Sequence, residues 1–598
     1  MNETIGIIPR AFRRRGVWVA CTLLLRAGLN FLGLAMLLPV LALVLDPGSL
    51  EGGGVLTRAY EGLGFASQRT FALAVCAAVV GVIVLKCLLG LWLARVERTY
   101  IYDLYRTLSR RLLVTYHDRG LPFVKASNSA VLARNVNVVC LAFAAGVLKP
   151  AAAIAAEAML LVLLFGALMW YTPLAALLAL AVFLPSIWLY YGLVRNRINR
   201  YGELENKAQR EKARLVAETF RGYADIEINN AFPMMLRQFD RAMDQVIRTR
   251  LRETAIGLLP QTFTEVGLAV GMALLVALSL GDGDGRAQML FGVFAVAALR
   301  LMPSVRNIMT GWTAIKYNRY TIGILRDAAA DCPPAPANPD CRDTPGPRST
   351  SAATVAPGNS GHPGNPAADT ASSPEKLPFR HEIAVRDLRF RFADGGRELF
   401  HGLSLTIRKG ERIGIRGASG AGKTTLFNLL LGLYEPSGGE IAIDGTPLTA
   451  ANRRAWQNRI GYVSQNLFIA DGSFAANVAL GIPAGEVDRE RVMQALRAAQ
   501  LGELVTGLAK GIDTHVGECG CRLSGGQRQR IGIARALYRQ ADVLFFDEAT
   551  SALDSRTEEE INRSIAGLAA RDAGLTLVVI AHRESSLEYC NRIITIGE

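Results

Sequence analysis

The residues Gly417-Ala418-Ser419-Gly420-Ala421-Gly422-Lys423-Thr424-Thr425 fit G-x-x-x-x-G-K-[ST], a spacing suited to holding phosphate. Gly417, Gly420 and Gly422 let successive backbone N–H groups turn inward around an anion, with Ser419 and Thr425 in the same cradle. Lys423 then reaches the β- and γ-phosphates of a nucleotide, and the Thr424 hydroxyl ligates Mg²⁺. The flanks agree: Arg412-Ile413-Gly414-Ile415 reads as a strand, and Leu426 to Leu433 as an apolar helix whose N-terminal dipole favours phosphate. A second chemical anchor ends the apolar run Val543-Leu544-Phe545-Phe546-Asp547-Glu548. A carboxylate at a strand end, Asp547, can hold Mg²⁺, and Glu548 points toward where a water would attack the γ-phosphate. Phosphoryl transfer needs such positioning and charge neutralisation more than covalent chemistry. Taken alone, the glycine pattern also fits a plain turn between a strand and a helix.

The elements that must carry these residues fall into two contrasting halves. At 598 residues the chain is too long for one core, and roughly three or four domain-sized units are expected. A hydrophobic content of 51% with mean hydropathy +0.23 is high for a soluble protein, and the excess lies in the first half. A membrane region joined to a soluble one follows. The net charge of +14 comes largely from Arg clusters beside apolar segments, the topological use of positive charge, and no basic–aromatic patch supports nucleic-acid binding. The nine cysteines give no disulfide framework. The first apolar run is too long for a cleaved signal and has no small-residue cleavage site.

Arg10, Arg13, Arg14 and Arg15 precede an apolar run at about 17–45 and are expected to keep the N-terminus in the cytoplasm. Further spans are expected at roughly 71–94, 138–168, 174–194, 255–280 and 289–310, each near the ~20 apolar residues that cross a bilayer. Six spans return the chain to the cytoplasm, where ATP is. Segments 95–137 and 195–254 carry helical periodicity, so spans two to five are predicted to run on as helices. Their tips are expected near Leu121-Pro122-Phe123 and Arg221-Gly222-Tyr223-Ala224-Asp225, where they could touch a soluble domain; simple solvated hairpins are the alternative. In the first outer loop Leu56, Tyr60 and Leu63 fit a short amphipathic surface helix or a packed loop. Arg26, Lys86, Lys149, Glu157, Glu265, Arg300 and Arg306 lie within the spans. Each costs about 2.5–3.5 kcal/mol at mid-bilayer, so such groups face a pathway or a partner. Snorkelling, or a pair such as Lys149 with Glu157, is the plainer account. Arg300 and Arg306 are six residues apart, hence about 120° apart in azimuth, and share a cavity only if it is wide. From Ala328 to about Lys376 the composition turns to Pro, Ala, Gly, Ser, Thr and Asn, predicting a disordered tether without a metal site at Cys332 or Cys341. The expected division is therefore 1–327, 328–376 and 377–598.

Beyond the phosphate loop lie Gln465, then Leu523-Ser524-Gly525-Gly526-Gln527-Arg528-Gln529-Arg530, then Asp547-Glu548, Ser551-Ala552-Leu553-Asp554 and Ala581-His582-Arg583. In order and spacing, this half and the layout of the whole chain resemble the ATP-binding cassette exporters. The resemblance implies an α-helical membrane domain with six spans in the type I exporter (type IV transporter) layout, followed by an α/β P-loop nucleotide-binding domain. It implies that Phe392 stacks on adenine where the family usually has Tyr, and that Gln465 senses the γ-phosphate and Mg²⁺. It further implies that His582 contacts the γ-phosphate, and that Ser524, Gly525, Gly526 and Gln527 complete the site of a second subunit. The implied cofactors are ATP and Mg²⁺, the metal set Thr424, Gln465 and Asp547, and the implied partner a second half-transporter, most simply an identical chain. Thr514-His515-Val516-Gly517-Glu518 is similar to the exporter segment that contacts the membrane hairpins; Cys519 and Cys521 interrupt the usual run after it and read as structural. The sequence stops at Glu598 just after Ile593-Ile594-Thr595-Ile596, where the family continues, so either a short terminus is tolerated or that subdomain is incomplete.

A finer resemblance lies in Ser127-Asn128-Ser129-Ala130-Val131-Leu132, the outer-loop segment, and Arg300-Leu301-Met302-Pro303-Ser304-Val305-Arg306-Asn307-Ile308. These look like the bacterial lipid-linked oligosaccharide flippases, the PglK-like group, implying an inner-membrane protein that moves an undecaprenyl-pyrophosphate glycan to the outer leaflet. Arg300, Arg306 and Lys86 would neutralise the pyrophosphate. The alternatives are an exporter of another lipid, drug or peptide, an ATP-gated channel or regulator, and a soluble ATPase with a greasy core.

Overall fold

The computed structural model describes residues 7–35, 62, 68–171, 173–279, 286–330, 376–392 and 398–548, together with 574–581, 590–597 and scattered positions between 556 and 588. The chain separates into two compact units, Met1–Ser349 and Thr350–Glu598. The outer-loop segment around Leu56 to Leu63, the stretch 331–375, Ser551 to Asp554 and His582 lie outside the described residues.

Among the described residues the first unit is helical. Six long helices carry it: α1 (Arg10–Ala35), α2 (Gln68–Asp118), α3 (Lys149–Tyr171), α4 (Pro173–Arg221), α5 (Phe232–Ser279) and α6 (Arg286–Tyr317). By length and composition, four helices among the described residues suffice to cross a membrane: Phe12–Gly33, Thr70–Asp118, Ser129–Trp170 and Ala176–Arg221. Their outward faces are apolar, with Leu85, Leu91, Val162, Trp170 and Trp188 all more than 60% exposed, as a hydrocarbon solvent requires and water does not favour. The helical extensions expected of spans two to five are present. At 51, 49 and 48 residues, α2, α4 and α5 far exceed a bilayer's needs. Short helices at Gly120–Ala126 and Tyr223–Ile228 make the turns at the two expected tips. Gly120, at φ +74, begins the first turn, and Asn128 caps the following helix by accepting from the Ala130 N–H.

Two hydrophobic clusters hold this unit. Phe183, Tyr190, Ile198, Leu301, Val305 and Met309 pack α4 on α6, while Phe12, Leu104, Leu108, Phe143 and Leu325 close the other end. The helix run 129–171 is not regular, because two π turns, Asn135–Val139 and Ala144–Leu148, precede α3. Where α4 crosses α6, a Cβ on Gly202 would stand 1.9 Å from the Tyr317 carbonyl oxygen, so only glycine admits that approach.

The second unit is α/β. Five parallel strands lie in the order β6-β7-β8-β3-β9, with β3 Arg412–Gly417, β6 Ile460–Val463, β7 Val543–Asp547, β8 Thr576–Ile580 and β9 Arg592–Ile596. β7 and β8 are buried throughout, matching their unbroken Val, Leu, Ile and Phe content. A smaller antiparallel sheet, β2-β1-β4-β5, contains β1 Glu382–Phe390, β2 Phe400–Arg408, β4 Gly438–Ile443 and β5 Thr446–Pro447. Helix α7 (Lys423–Leu430) follows β3, and its Phe427 packs edge-on to Phe545 of β7, ring centroids 5.2 Å apart. Helix α8 (Gly525–Tyr538) covers the core through Ile531, Ile533 and Ala534.

Gly202→Ala should force α4 and α6 apart, costing about 1–3 kcal/mol by overpacking. A lowered midpoint of thermal unfolding is expected, with Gly192→Ala, where a Cβ meets nothing within 4 Å, leaving it unlowered or slightly raised, as for any unobstructed helical glycine.

Candidate active site

The phosphate loop and its carboxylates converge because their strands end at one edge of the parallel sheet. Ile580 of β8 is paired on one side with Ile415 of β3 and on the other with Asp547 of β7. Gly417 lies opposite Ile596 of β9, and a Cβ there would meet the Ile596 carbonyl oxygen at 2.4 Å. The loop then turns through Gly420 (φ +83) and Gly422 (φ +93), conformations that glycine adopts without strain. Gly422 also abuts Leu399 and Phe400, so both its angle and its space require glycine.

Lys423 starts α7 and is only 7% exposed; its ammonium donates to the carbonyls of Gly417 at 2.8 Å and Ala418 at 3.1 Å. The amine is thereby held inside the curve of the loop. Beside it, the Thr424 hydroxyl donates to Asp547 Oδ1 at 3.3 Å across the strand ends. These are two hard oxygen donors side by side, the set that suits Mg²⁺ rather than a softer ion. Burial pushes the Asp547 carboxyl above the usual range; the Thr424 bond opposes this, the Glu548 charge adds to it, and Tyr462 and Lys423 pull it back. A cation at this point would offset the cost of keeping Asp547 charged.

Glu548 takes the left-handed conformation at φ +51, unusual for a non-glycine residue and of the kind held at functional sites. Its N–H donates to the Ile580 carbonyl at 3.0 Å, and its carboxylate accepts from Gln465 Nε2 at 2.7 Å. The backbone thus turns out of β7 just after Asp547, separating the metal-type carboxylate from a neighbour suited to polarising water. Of the expected residues, Thr424 is joined to Asp547 and Gln465 to Glu548, with Lys423 held by the loop carbonyls beside Thr424.

Phe392 stands apart from them in an aromatic group, 5.0 Å from Phe390 and 6.1 Å from Tyr434, and 40% exposed. An available ring face is what adenine stacking requires. Ser524 is the N-cap of α8: its hydroxyl accepts from the Gln527 N–H and its own N–H donates to Gln527 Oε1. The reciprocal cap leaves the N–H groups of Gly525 and Gly526 at the positive end of a fourteen-residue helix.

Tyr462, missed in the sequence, also belongs to the site. It sits on β6 beside β7 and hydrogen-bonds Asp547, which together with burial drives its own phenol well above the ordinary range. Nothing short of the β6–β7 pairing reveals it.

In the helical unit, the charged residues within the spans have different surroundings. Arg26 is accounted for by Glu97 of α2 at 3.0 Å, a nearly buried carboxylate. Lys86 lies against Gly33 of α1. Arg306 is half-buried on α6; the Arg300 side chain lies outside the description. The pairing of Lys149 with Glu157 gives way to a cross-helix clasp. Glu157 of α3 accepts from Ser304 Oγ at 2.7 Å and Asn307 Nδ2 at 2.9 Å on α6, while Lys149 is exposed. Neutral donors from two positions three residues apart satisfy a membrane carboxylate without a counter-charge.

A phosphate-cradling ATPase unit following a bundle of membrane-length helices defines a transporter that works on ATP. Residues 400–551 match the family model of the ABC transporters. An ATP-dependent lipid A-core flippase of Burkholderia pseudomallei is 29% identical over 549 residues, 90% of this chain and 84% of that protein. The protein of the same name from Ralstonia nicotianae is 30% identical over 438 residues, 72% of this chain and 67% of that one. A solved bacterial Atm1-family ABC exporter with ATP bound superposes with a TM-score of 0.72 at 22% identity, covering 98% of this chain and 94% of that chain. The chain belongs to the ABC transporters, as an exporter half-transporter that couples ATP hydrolysis to translocation.

Glu548→Gln keeps an oxygen to accept from Gln465 but removes the carboxylate charge expected to activate water. ATP binding should survive while turnover falls at least about 100-fold, measured as phosphate release beside nucleotide affinity. Tyr462→Phe removes one hydrogen bond from Asp547 and should raise the Mg²⁺ concentration for half-maximal ATPase several-fold; an unchanged Mg²⁺ titration would assign Tyr462 to packing alone.

Proposed function

We propose that this half-transporter pairs with an identical chain in a bacterial inner membrane and flips an anionic glycolipid from the cytoplasmic to the outer leaflet. Mg²⁺ would be held by Thr424, Asp547 and Gln465, ATP by Gly417 to Thr425 with Phe392 on the adenine, and His582 would contact the γ-phosphate. Each ATP would be closed over by Ser524, Gly525, Gly526 and Gln527 of the second chain, whose helix N-terminus favours an anion. The N-terminus and the ATPase unit would be cytoplasmic, in keeping with the Arg cluster at Arg10 to Arg15.

The observation that carries the lipid reading is a half-buried Arg306 on α6, beside the Glu157 clasp within an apolar helix bundle. A guanidinium retained there at a cost of about 2.5–3.5 kcal/mol suits a phosphate-bearing headgroup, for which it offers a bidentate fork. Arg300 and Lys86 would add charge. Both kinship and charge support an anionic lipid: relatives at about 30% identity are by name lipid A-core flippases, and the resemblance around Arg300 to Ile308 points to an undecaprenyl-pyrophosphate oligosaccharide. The second reading is an exporter of a different lipid, drug or peptide.

Arg300→Ala/Arg306→Ala in proteoliposomes should abolish ATP-dependent leaflet exchange of the cognate glycolipid while basal ATP turnover persists. Lipid A-core and an undecaprenyl-pyrophosphate glycan, assayed side by side, decide the headgroup. Normal flipping by the double variant would remove the arginines from recognition, and drug-stimulated ATPase without a glycolipid response would favour the second reading.

A further inference from the structure

Cys519 and Cys521 read from the sequence as structural thiols, yet both side chains are exposed. They flank Gly520 in a tight turn that ends three residues before Ser524. In this turn Gly517, Cys519 and Gly520 all have positive φ, at 81°, 52° and 68°, and Cys519 does so without glycine's freedom. The Cys521 sulfur lies close over Gly517, 2.7 Å from where a Cβ would be. Two thiols with one residue between them have Cα atoms no more than about 7 Å apart, at the upper edge of what a disulfide spans, so closing the bond draws the turn into a changed backbone geometry.

The turn is wired to the helix that would grip phosphate. Gly520 is buried against Arg528 of α8, whose guanidinium donates to the carbonyls of Gly520 at 3.5 Å and Leu523 at 3.1 Å. The Leu523 N–H donates in turn to the Gly520 carbonyl at 3.0 Å. Any change in backbone angle at Cys519 or Gly520 therefore reorients the carbonyl on which both Leu523 and Arg528 are anchored. The Ser524–Gln527 cap starts one residue further on.

We infer that Cys519 and Cys521 form a dithiol modification site that undergoes thiol–disulfide exchange with a low-molecular-weight disulfide such as glutathione disulfide, and that closing the bond slows ATP turnover. The thiolate of one cysteine attacks the small disulfide, forming a mixed disulfide and expelling one thiolate. The second cysteine then attacks the protein sulfur of that adduct and expels the other thiolate. The protein loses two protons and two electrons, and the small disulfide is reduced to two thiols. Thiol pairs of this kind in reducing compartments are transient and sensing rather than structural. The ring of the closed pair fixes the turn in a new geometry and shifts the N-terminus of α8 through Arg528.

The test uses the full-length protein in lipid nanodiscs, treated with glutathione disulfide and then with dithiothreitol. ATPase should fall by about tenfold or more, the scale of a misplaced binding group, and return on reduction. The peptide spanning residues 517–528 should lose two hydrogens and carry no glutathione. Cys519→Ser and Cys521→Ser, each with normal reduced-state ATPase, should both become insensitive. A peptide that stays fully reduced or holds only a glutathione adduct overturns the inference. So does equal loss of ATPase in either serine variant, which would move the effect to another cysteine.

Discussion

The 3.3 Å approach of the Thr424 hydroxyl to Asp547 depends on the order in which five parallel strands lie. β3 and β7 are not neighbours; β8 runs between them and fixes their ends in register through Ile580. The loop after β3 and the carboxylate ending β7 therefore share one edge of the sheet, where strand-end crevices of α/β folds bind ligands. The rest of the ATPase unit serves this registration. Phe427 against Phe545 sets the height of α7 over β7, and the Ile580 carbonyl accepts the Glu548 N–H so that the chain leaves the sheet in a left-handed turn. The buried position of Asp547 follows from the same geometry, and with it the demand for a nearby cation.

The helical unit solves a different electrostatic problem. Three of its charged groups within the spans are matched locally: Arg26 with Glu97, Glu157 with Ser304 and Asn307, Glu265 with Gln261. Only groups so matched are inexpensive in an apolar bundle. Arg306 is half-buried on the helix that supplies the Glu157 clasp, and this is why it carries weight in the proposed recognition of a headgroup.

Much of the ATPase site was legible in the sequence because its chemistry sits in short contiguous runs. Gly417 to Thr425 encodes loop shape, amine and hydroxyl together, and the strand ending in Asp547 announces itself by an apolar run that stops at a charge. Glu548 followed from its place after that charge and Gln465 from likeness to a family, and a 2.7 Å bond joins the two. Tyr462 and the Glu157 clasp were not legible, since each rests on which strand or helix lies alongside, a fact that no local pattern contains. The long helices and both hairpin tips followed from periodicity, as Gly120 and Tyr223 bear out. The Arg26–Glu97 pair was hidden, since its two members lie 71 positions apart in the chain.

The two π turns ahead of α3 change what one helix can present to its surroundings. Each adds a residue to a turn, so side chains beyond it are displaced by about 100° from where a regular count puts them. Asn135 and Glu157 are 22 positions apart, which on an unbroken helix sets them within about 40° of one another. With two added residues they diverge by about 160° instead, and accordingly Asn135 bonds Tyr116 of α2 while Glu157 bonds Ser304 and Asn307 of α6. The helix is in effect swivelled partway along its length. One continuous run thereby meets two different neighbours, joined to each by a polar contact.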